Sequence, residues 1–223
     1  MGTAQIRKSF DEQIEEVKQE ILKMGSVVEE MLSGAIKALG ARDRELAARI
    51  IAMDDVVDDY NLTIEERCLH LLALQQPMAR DLRTIAAGLY IIKDVERMGD
   101  YALDIAKAAD KLAQAEPLTT LVKIPQMARI VQQMLRDSLR AFVDRNADAV
   151  FAIAEEDDQV DVLYRQVRAE MVGLIGQDAA HAERAVEIVL VARYLERIAD
   201  RITNICERVV FMVTGEIVES GDR

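Results

Sequence analysis

The five residues Glu96-Arg97-Met98-Gly99-Asp100 recur 100 positions later as Glu196-Arg197-Ile198-Ala199-Asp200. In each copy the two acids stand four apart, so on a helix they share one face. At about 100° per residue that face is otherwise mostly apolar. Leu82, Ile85, Leu89, Ile92 and Leu103 fall in line with Glu96 and Asp100, and Ala185, Val189, Ala192 and Thr203 with Glu196 and Asp200. A carboxylate continuing a buried stripe must be protonated, ion-paired or bound to a cation, because an unpaired buried charge is too costly. A chain patterned this way is held to long helices and to two similar halves.

The composition agrees. Three Pro and ten Gly are all that interrupt 223 residues, and the strong helix formers Ala, Leu, Glu, Arg, Met and Gln dominate. Valines and isoleucines recur at helical spacing rather than in alternation, so the reading is all-α. A net charge of −12 argues against a basic nucleic-acid-binding face and against direct binding to anionic lipid; it favours cations. Cys68 and Cys206 lie one in each half with no CxxC spacing, which predicts buried free thiols rather than a disulfide framework or a zinc knuckle. No apolar run approaches the roughly 20 residues of a membrane span. The N-terminus turns acidic at Asp11-Glu12 without a signal-peptide core. A cytoplasmic protein with no direct membrane insertion is expected.

Helix breakers divide the chain into six helices, at about 4–39, 43–73, 78–113, 125–143, 147–175 and 181–214, with Asp43 as an N-cap and stops near Gly40 and Gly215. The stretch 116–125, with two prolines and two threonines, is the natural linker. Short connections make neighbouring helices antiparallel. The expected architecture is therefore two pseudo-symmetric three-helix bundles, residues 1–115 and 126–215, with a polar tail at 216–223. Ile14, Val17, Ile21, Met24, Val28, Met31, Leu32, Ala35 and Leu39 give the first helix its buried stripe.

The second and fifth helices carry acids in their stripes as well. Asp54, Asp58 and Glu65 share a face with Ala47, Ile50, Val57, Cys68 and Leu72; Asp157 and Asp161 share one with Val150, Ile153, Val160 and Met171. Residues equidistant from an antiparallel turn lie at one height, since both arms rise about 1.5 Å per residue. The midpoint between Asp54 and Glu96 is residue 75, in the first turn, and that between Asp157 and Glu196 falls at Gly176-Gln177. Each half should thus gather four carboxylates at one depth: Asp54, Asp58, Glu96 and Asp100 in the first, Asp157, Asp161, Glu196 and Asp200 in the second. All-oxygen sites suit hard cations such as Mg²⁺, Mn²⁺ or Ca²⁺, and carboxylate clusters also hold iron or zinc. Asp104 and Asn204, one turn on, extend the row. The only histidines, His70 and His181, stand in no Glu-x-x-His motif of the di-iron kind, which argues against an oxygen-activating centre. Two plainer readings compete: ion pairing by Arg97 and Arg197, each about 100° round the helix from its Glu, and a solvated acidic stripe.

The segments Asp94–Ile105 and Leu195–Ile205, each carrying the Glu-Arg-x-(Gly/Ala)-Asp motif, resemble the two signature helices of the PhoU family, the phosphate-transport accessory regulators. Asp81-Leu82-Arg83, Phe10-Asp11-Glu12 and Met24-Gly25 resemble it too, so the likeness covers nearly the whole chain. The resemblance implies two three-helix bundles whose acidic motifs hold multinuclear clusters of iron, zinc, manganese or magnesium on the eight carboxylates named above. It implies a non-enzymatic adaptor between the phosphate-specific ABC transporter ATPase and a sensor histidine kinase, repressing the phosphate-starvation response when phosphate is plentiful. Such a protein is cytoplasmic and recruited to the inner face of the membrane by its partners; a homodimer is expected for a small regulator. The alternatives are a metal-dependent phosphohydrolase, which would need an open coordination position and a positioned base, and a metal-free helical scaffold. The second half departs from the first: His181-Ala-Glu-Arg184 replaces Arg80-Asp-Leu-Arg83, and Arg168 stands near the place matching Glu65. The two metal sites are therefore expected to differ in strength.

Overall fold

The computed structural model describes residues 3–75, 77–117 and 121–217; Gln76, the centre of the expected linker and the end of the expected tail lie outside them. All regular structure among the described residues is helical. The helices are α1 (Thr3–Ala41), α2 (Arg44–Ile51), α3 (Asp54–Gln75), α4 (Arg80–Ala113), α5 (Lys123–Asp144), α6 (Val150–Gln177) and α7 (Ala182–Thr214), with a single 3₁₀ turn at Ala179–His181 before α7.

Local chemistry sets most of these boundaries. Asp43 accepts a 2.9 Å hydrogen bond from the Leu46 amide and starts α2. Asn146 accepts from the amides of Asp148 and Ala149 ahead of α6, which delays that helix three residues beyond its expected start. Asp178 does the same for Ala180, so α6 runs on through Gly176-Gln177 and the turn falls just after them. Gly215, at φ +83°, ends α7 in the left-handed conformation that glycine adopts without steric cost. The first long helix stops near Gly40, at Ala41, and it is Arg42 that takes the positive φ, +56°. The Arg42 guanidinium then donates to the carbonyls of Ala113 (2.9 Å) and Ala115, satisfying the end of α4.

The expected second helix is not continuous. The stripe over 43–73 predicts a continuous helix, but the chain breaks at Ala52-Met53 into α2 and α3. The Met53 and Val56 amides turn to carbonyls three residues back, those of Ile50 and Met53. The break lets α2 lie close against α1, where a Cβ on Gly34 would come within 2.3 Å of Ile50 Cδ1. It also makes Asp54 and Asp55 the first turn of α3, where the helix dipole favours negative charge.

Packing joins α1, α2, α3 and α4 in one half and α5, α6 and α7 in the other, and the halves meet along α4–α7 and α1–α5. One continuous core runs through both. Ile21, Met24, Val28, Met31, Leu32 and Ala35 of α1 are fully buried, each of the larger ones contributing about 1.5–3 kcal/mol relative to exposure. Gly25 admits α5 against α1: a Cβ there would stand 2.1 Å from Leu139 Cδ1. Leu82, placed by periodicity in the apolar stripe of α4, is 45% exposed instead, because it sits in the first turn of its helix, beside the α3–α4 connection.

The central pair, α4 and α7, is antiparallel, since Arg83 contacts Met212, Tyr90 contacts Arg208, Asp94 contacts Arg201, and Lys111 contacts Glu187. Asp94 accepts from Arg201 (3.4 Å) and Asn204 (3.3 Å), while Tyr101 stacks on Tyr194 with ring centroids 6.0 Å apart. Shifting Asp94 and Tyr101 by the 100-residue repeat gives Tyr194 and Arg201. The two contacts therefore occupy the same pair of positions, related by a local twofold axis between the halves.

Candidate functional site

The first acidic seam lies between α3 and α4. Gly99, between Glu96 and Asp100, brings the helices together: a Cβ there would approach Val57 Cγ1 to 3.2 Å. Asp54, Glu96 and Asp100 are half-buried, and Asp58 is exposed at the rim. Burial pushes the Asp54 carboxyl above its ordinary range, helped by the charges of Asp58 and Asp100. Glu96 is raised by burial and by Asp100, with Arg97 opposing and Asp58 adding. These effects run across the seam, Asp100 of α4 acting on Asp54 and Asp58 of α3 on Glu96.

The second seam, between α6 and α7, is deeper. Glu196 is only 8% exposed, and its Oε2 is buried without a hydrogen-bond partner. Asp157 and Asp200 are half-buried, and Asp161 lies nearer the rim. Burial, then the charges of Asp200 and Asp161, push Asp157 up to about 6. Glu196 is raised by burial and Asp200 against the pull of Arg193; Asp200 is raised by burial against Arg197 and Arg193. Desolvation leads in every case, the signature of carboxylates held out of water by the apolar stripes around them.

Arginines reach both seams. Arg97 donates to Asp100 (2.8 Å) and stands 3.7 Å from Glu96. In the second seam the partner of Glu196 is Arg193, one turn earlier, whose Nη1 donates to Glu196 Oε1. Sequence reasoning singled out Arg197 and missed Arg193. The i, i+3 spacing to Glu196 is a legible signal, but the choice between the two arginines depends on Tyr164 of α6, over whose ring Arg193 sits at 5.7 Å. Arg165 reaches Asp161 at 3.8 Å, and Lys93 takes Glu65 at 2.7 Å.

The flanking candidates divide. Asp104 pairs with Lys107 at 3.5 Å. Asn204 turns away from its acid row and donates to Asp94 across the α4–α7 contact. His70 is exposed on α3, and His181 Nδ1 lies 3.4 Å from the Leu174 carbonyl oxygen in the α6–α7 connection. Cys68 and Cys206 are buried free thiols, both pushed up to about 12 chiefly by burial.

All donors in the two seams are carboxylate oxygens, the set hard divalent cations take. The buried, unpartnered Glu196 Oε2 is an oxygen for which a cation would compensate. Among the described residues, no three His, Cys, Asp or Glu side chains are already grouped as a ligand shell. Glu96, Asp100, Asp161 and Glu196 are engaged with arginines, and a bound ion would have to draw the acids together. The residues fit such an ion by type and burial, with side-chain rearrangement.

The fold and seams define a helical-bundle protein built from a repeated unit, each copy carrying a carboxylate-lined seam. The PhoU domain family model matches twice, over residues 21–109 and 124–209. The phosphate-specific transport system accessory protein PhoU homolog of Clostridium acetobutylicum is 38% identical over 217 residues, 97% of this chain and 99% of that protein. Its namesake from Aquifex aeolicus is 38% identical over 212 residues, 95% and 96% of the two chains. Crystal structures of PhoU from Pseudomonas aeruginosa (33% identical, 93% and 100% covered) and of the phosphate transport system regulatory protein PhoU from Streptococcus pneumoniae (36% identical, 94% and 99% covered) both superpose with a TM-score of 0.88. The chain belongs to the PhoU family.

Proposed function

We propose that this protein is an accessory regulator of phosphate-specific transport, acting by binding rather than by catalysis. The observation that carries the reading is likeness over nearly the full length of both chains to proteins named as accessory or regulatory components of phosphate transport. The role is that of an adaptor between the transporter's ATPase and a sensor histidine kinase, holding the starvation response off while phosphate is abundant. Among the described residues no helix is long and apolar enough to cross a membrane; a place at the cytoplasmic face, reached through these partners and occupied as a homodimer, belongs to the same proposal.

In this reading Asp54, Asp58, Glu96 and Asp100 take a divalent cation between α3 and α4, and Asp157, Asp161, Glu196 and Asp200 take one between α6 and α7. The ion supplies positive charge that offsets the repulsion and desolvation of the acids and ties two helices together. The chain's own part is to position the carboxylates: the α3–α4 approach at Gly99, the apolar stripes, and arginines that cover the acids until an ion arrives. A metal-dependent phosphohydrolase is disfavoured by the absence of any histidine from the eight seam residues, leaving no such group to act as base or to grip phosphate.

Deleting the gene in its source organism should derepress phosphate-uptake genes in phosphate-rich medium, and the intact chain should restore repression. Unchanged repression in the deletion strain would defeat the regulatory reading. Affinity capture from cells, with and without chelator, should recover the transporter ATPase or the kinase.

A further inference from the structure

The two seams are not equivalent. Lys93 and Arg193 occupy the same place in the repeat, but their side chains do different things. Lys93 is drawn to Glu65, a residue outside the four seam acids. The second half has Arg168 near the place of Glu65, so the cation at position 193 has no such anchor there. Arg193 instead lies over Tyr164 and donates to Glu196, the most buried of the eight acids. A guanidinium over an aromatic face, hydrogen-bonded to a carboxylate, is held in both charge and orientation. The arginine of the first seam is a looser cover: the Arg97 side chain is 60% exposed, against 36% for Arg193.

We propose that Arg193 is a built-in counter-ion for the second seam, seated on Tyr164, which a divalent cation must displace from Glu196 before it can bind; the first seam, its lysine engaged at Glu65, is the one that fills first. Resting on the metal-binding reading above, this assigns the two sites an order. A carboxylate oxygen held by a guanidinium is not free to ligate, so the cost of releasing Arg193 is subtracted from the affinity of the second site. The buried Glu196 Oε2, which Arg193 leaves unpartnered, marks where the incoming ion gains most.

Mn²⁺ binding to the full chain, followed by the loss of the free-ion electron paramagnetic resonance signal, tests the order directly. Glu96→Gln with Asp100→Asn, and separately Glu196→Gln with Asp200→Asn, assign each class of site to a seam. The intact chain should show a tighter class that the first pair removes and a weaker class that the second pair removes. Arg193→Gln should tighten the weaker class about tenfold, a usual size for coupling between competing groups, and leave the tighter class unchanged. Tyr164→Leu, which removes the seat but keeps the arginine, should shift it the same way by less. Two classes with the second seam unmoved or weakened in both variants would overturn the counter-ion role while sparing metal binding. Equal affinities in the intact chain would overturn the order, and no Mn²⁺ binding in any variant would overturn the proposal and the metal reading together.

Discussion

Acidifying the metal-free protein from neutral pH should stabilise it, and Asp157 is the residue on which the effect is largest. Its carboxyl rises from an ordinary 3.8 to about 6 in the folded chain, chiefly through burial and then through Asp200 and Asp161. A raised folded value means the folded state holds the proton more tightly than the unfolded state. Above about 6 the group is charged in both states and its penalty on folding is complete. As the pH falls toward 3.8 the folded carboxyl is neutralised first and the penalty is lifted; below that both states are protonated and nothing further is gained. A difference of this size corresponds to roughly 3 kcal/mol. The side chain is only half-buried, and screening by water reduces this to about 1–2 kcal/mol. In a chain of this length that is about 2–8 °C in Tm. Asp54, Glu96, Glu196 and Asp200 are raised too and add in the same direction. The assay is thermal unfolding followed by circular dichroism in chelator between about pH 7.5 and pH 5, with Asp157→Asn alongside. The intact protein should melt higher at the acid end, Asp157→Asn should melt higher at neutral pH, and its slope should be flatter. Saturating Mn²⁺ should reverse the trend, because protons then compete with the ion for the same oxygens. A Tm that falls on acidification in chelator, or a slope that Asp157→Asn leaves intact, would refute the desolvation argument for the seam.

Two glycines on different helices should respond in opposite directions. Gly25→Ala drives a Cβ to 2.1 Å from the buried Leu139 and should lower stability by about 1–3 kcal/mol; Gly173→Ala, with nothing within 4 Å, should raise it by roughly 0.5–1 kcal/mol, both read as shifts in urea midpoint. Arg145 donates to Thr84 Oγ1 (2.6 Å) and to the Met212 carbonyl (3.1 Å) near the end of α7. Arg145→Ala should cost about 1–3 kcal/mol, and Arg145→Gly less, since its φ of +55° suits glycine; equal losses would rule out backbone strain there. Neither Cys68 nor Cys206 should react with a thiol reagent in the folded protein, because burial keeps both protonated; labelling should follow global unfolding.

The long helices were legible because their signals are local: Asp43 as a cap, Gly215 as a stop, and a stripe from Val17 to Leu39 that is buried throughout. The pairing of α3 with α4 and of α6 with α7 was legible because short connections make neighbouring helices antiparallel. The break at Ala52-Met53 was not, since no glycine or proline marks it; Asp54-Asp55, an acid pair suited to a helix start, was the available clue. Three further features depend on contacts between helices distant in sequence. Arg193 goes to the second seam because Tyr164 seats it there, Asn204 leaves its row because Asp94 lies across the α4–α7 contact, and Gly25 is required by Leu139. Periodicity describes one helix at a time and is silent on all three.

Around the axis between α4 and α7, one pair of positions carries Asp94 with Arg201 and its counterpart carries Tyr194 with Tyr101. Two copies of the first half brought together would set an aspartate against a tyrosine on both sides, leaving a carboxylate out of water with no cation opposite. Two copies of the second would face an arginine with a tyrosine and no acid. Only the mixed pairing satisfies every group, so what looks like a palindrome reads in one direction: each half has become the specific mate of the other and a poor partner for itself.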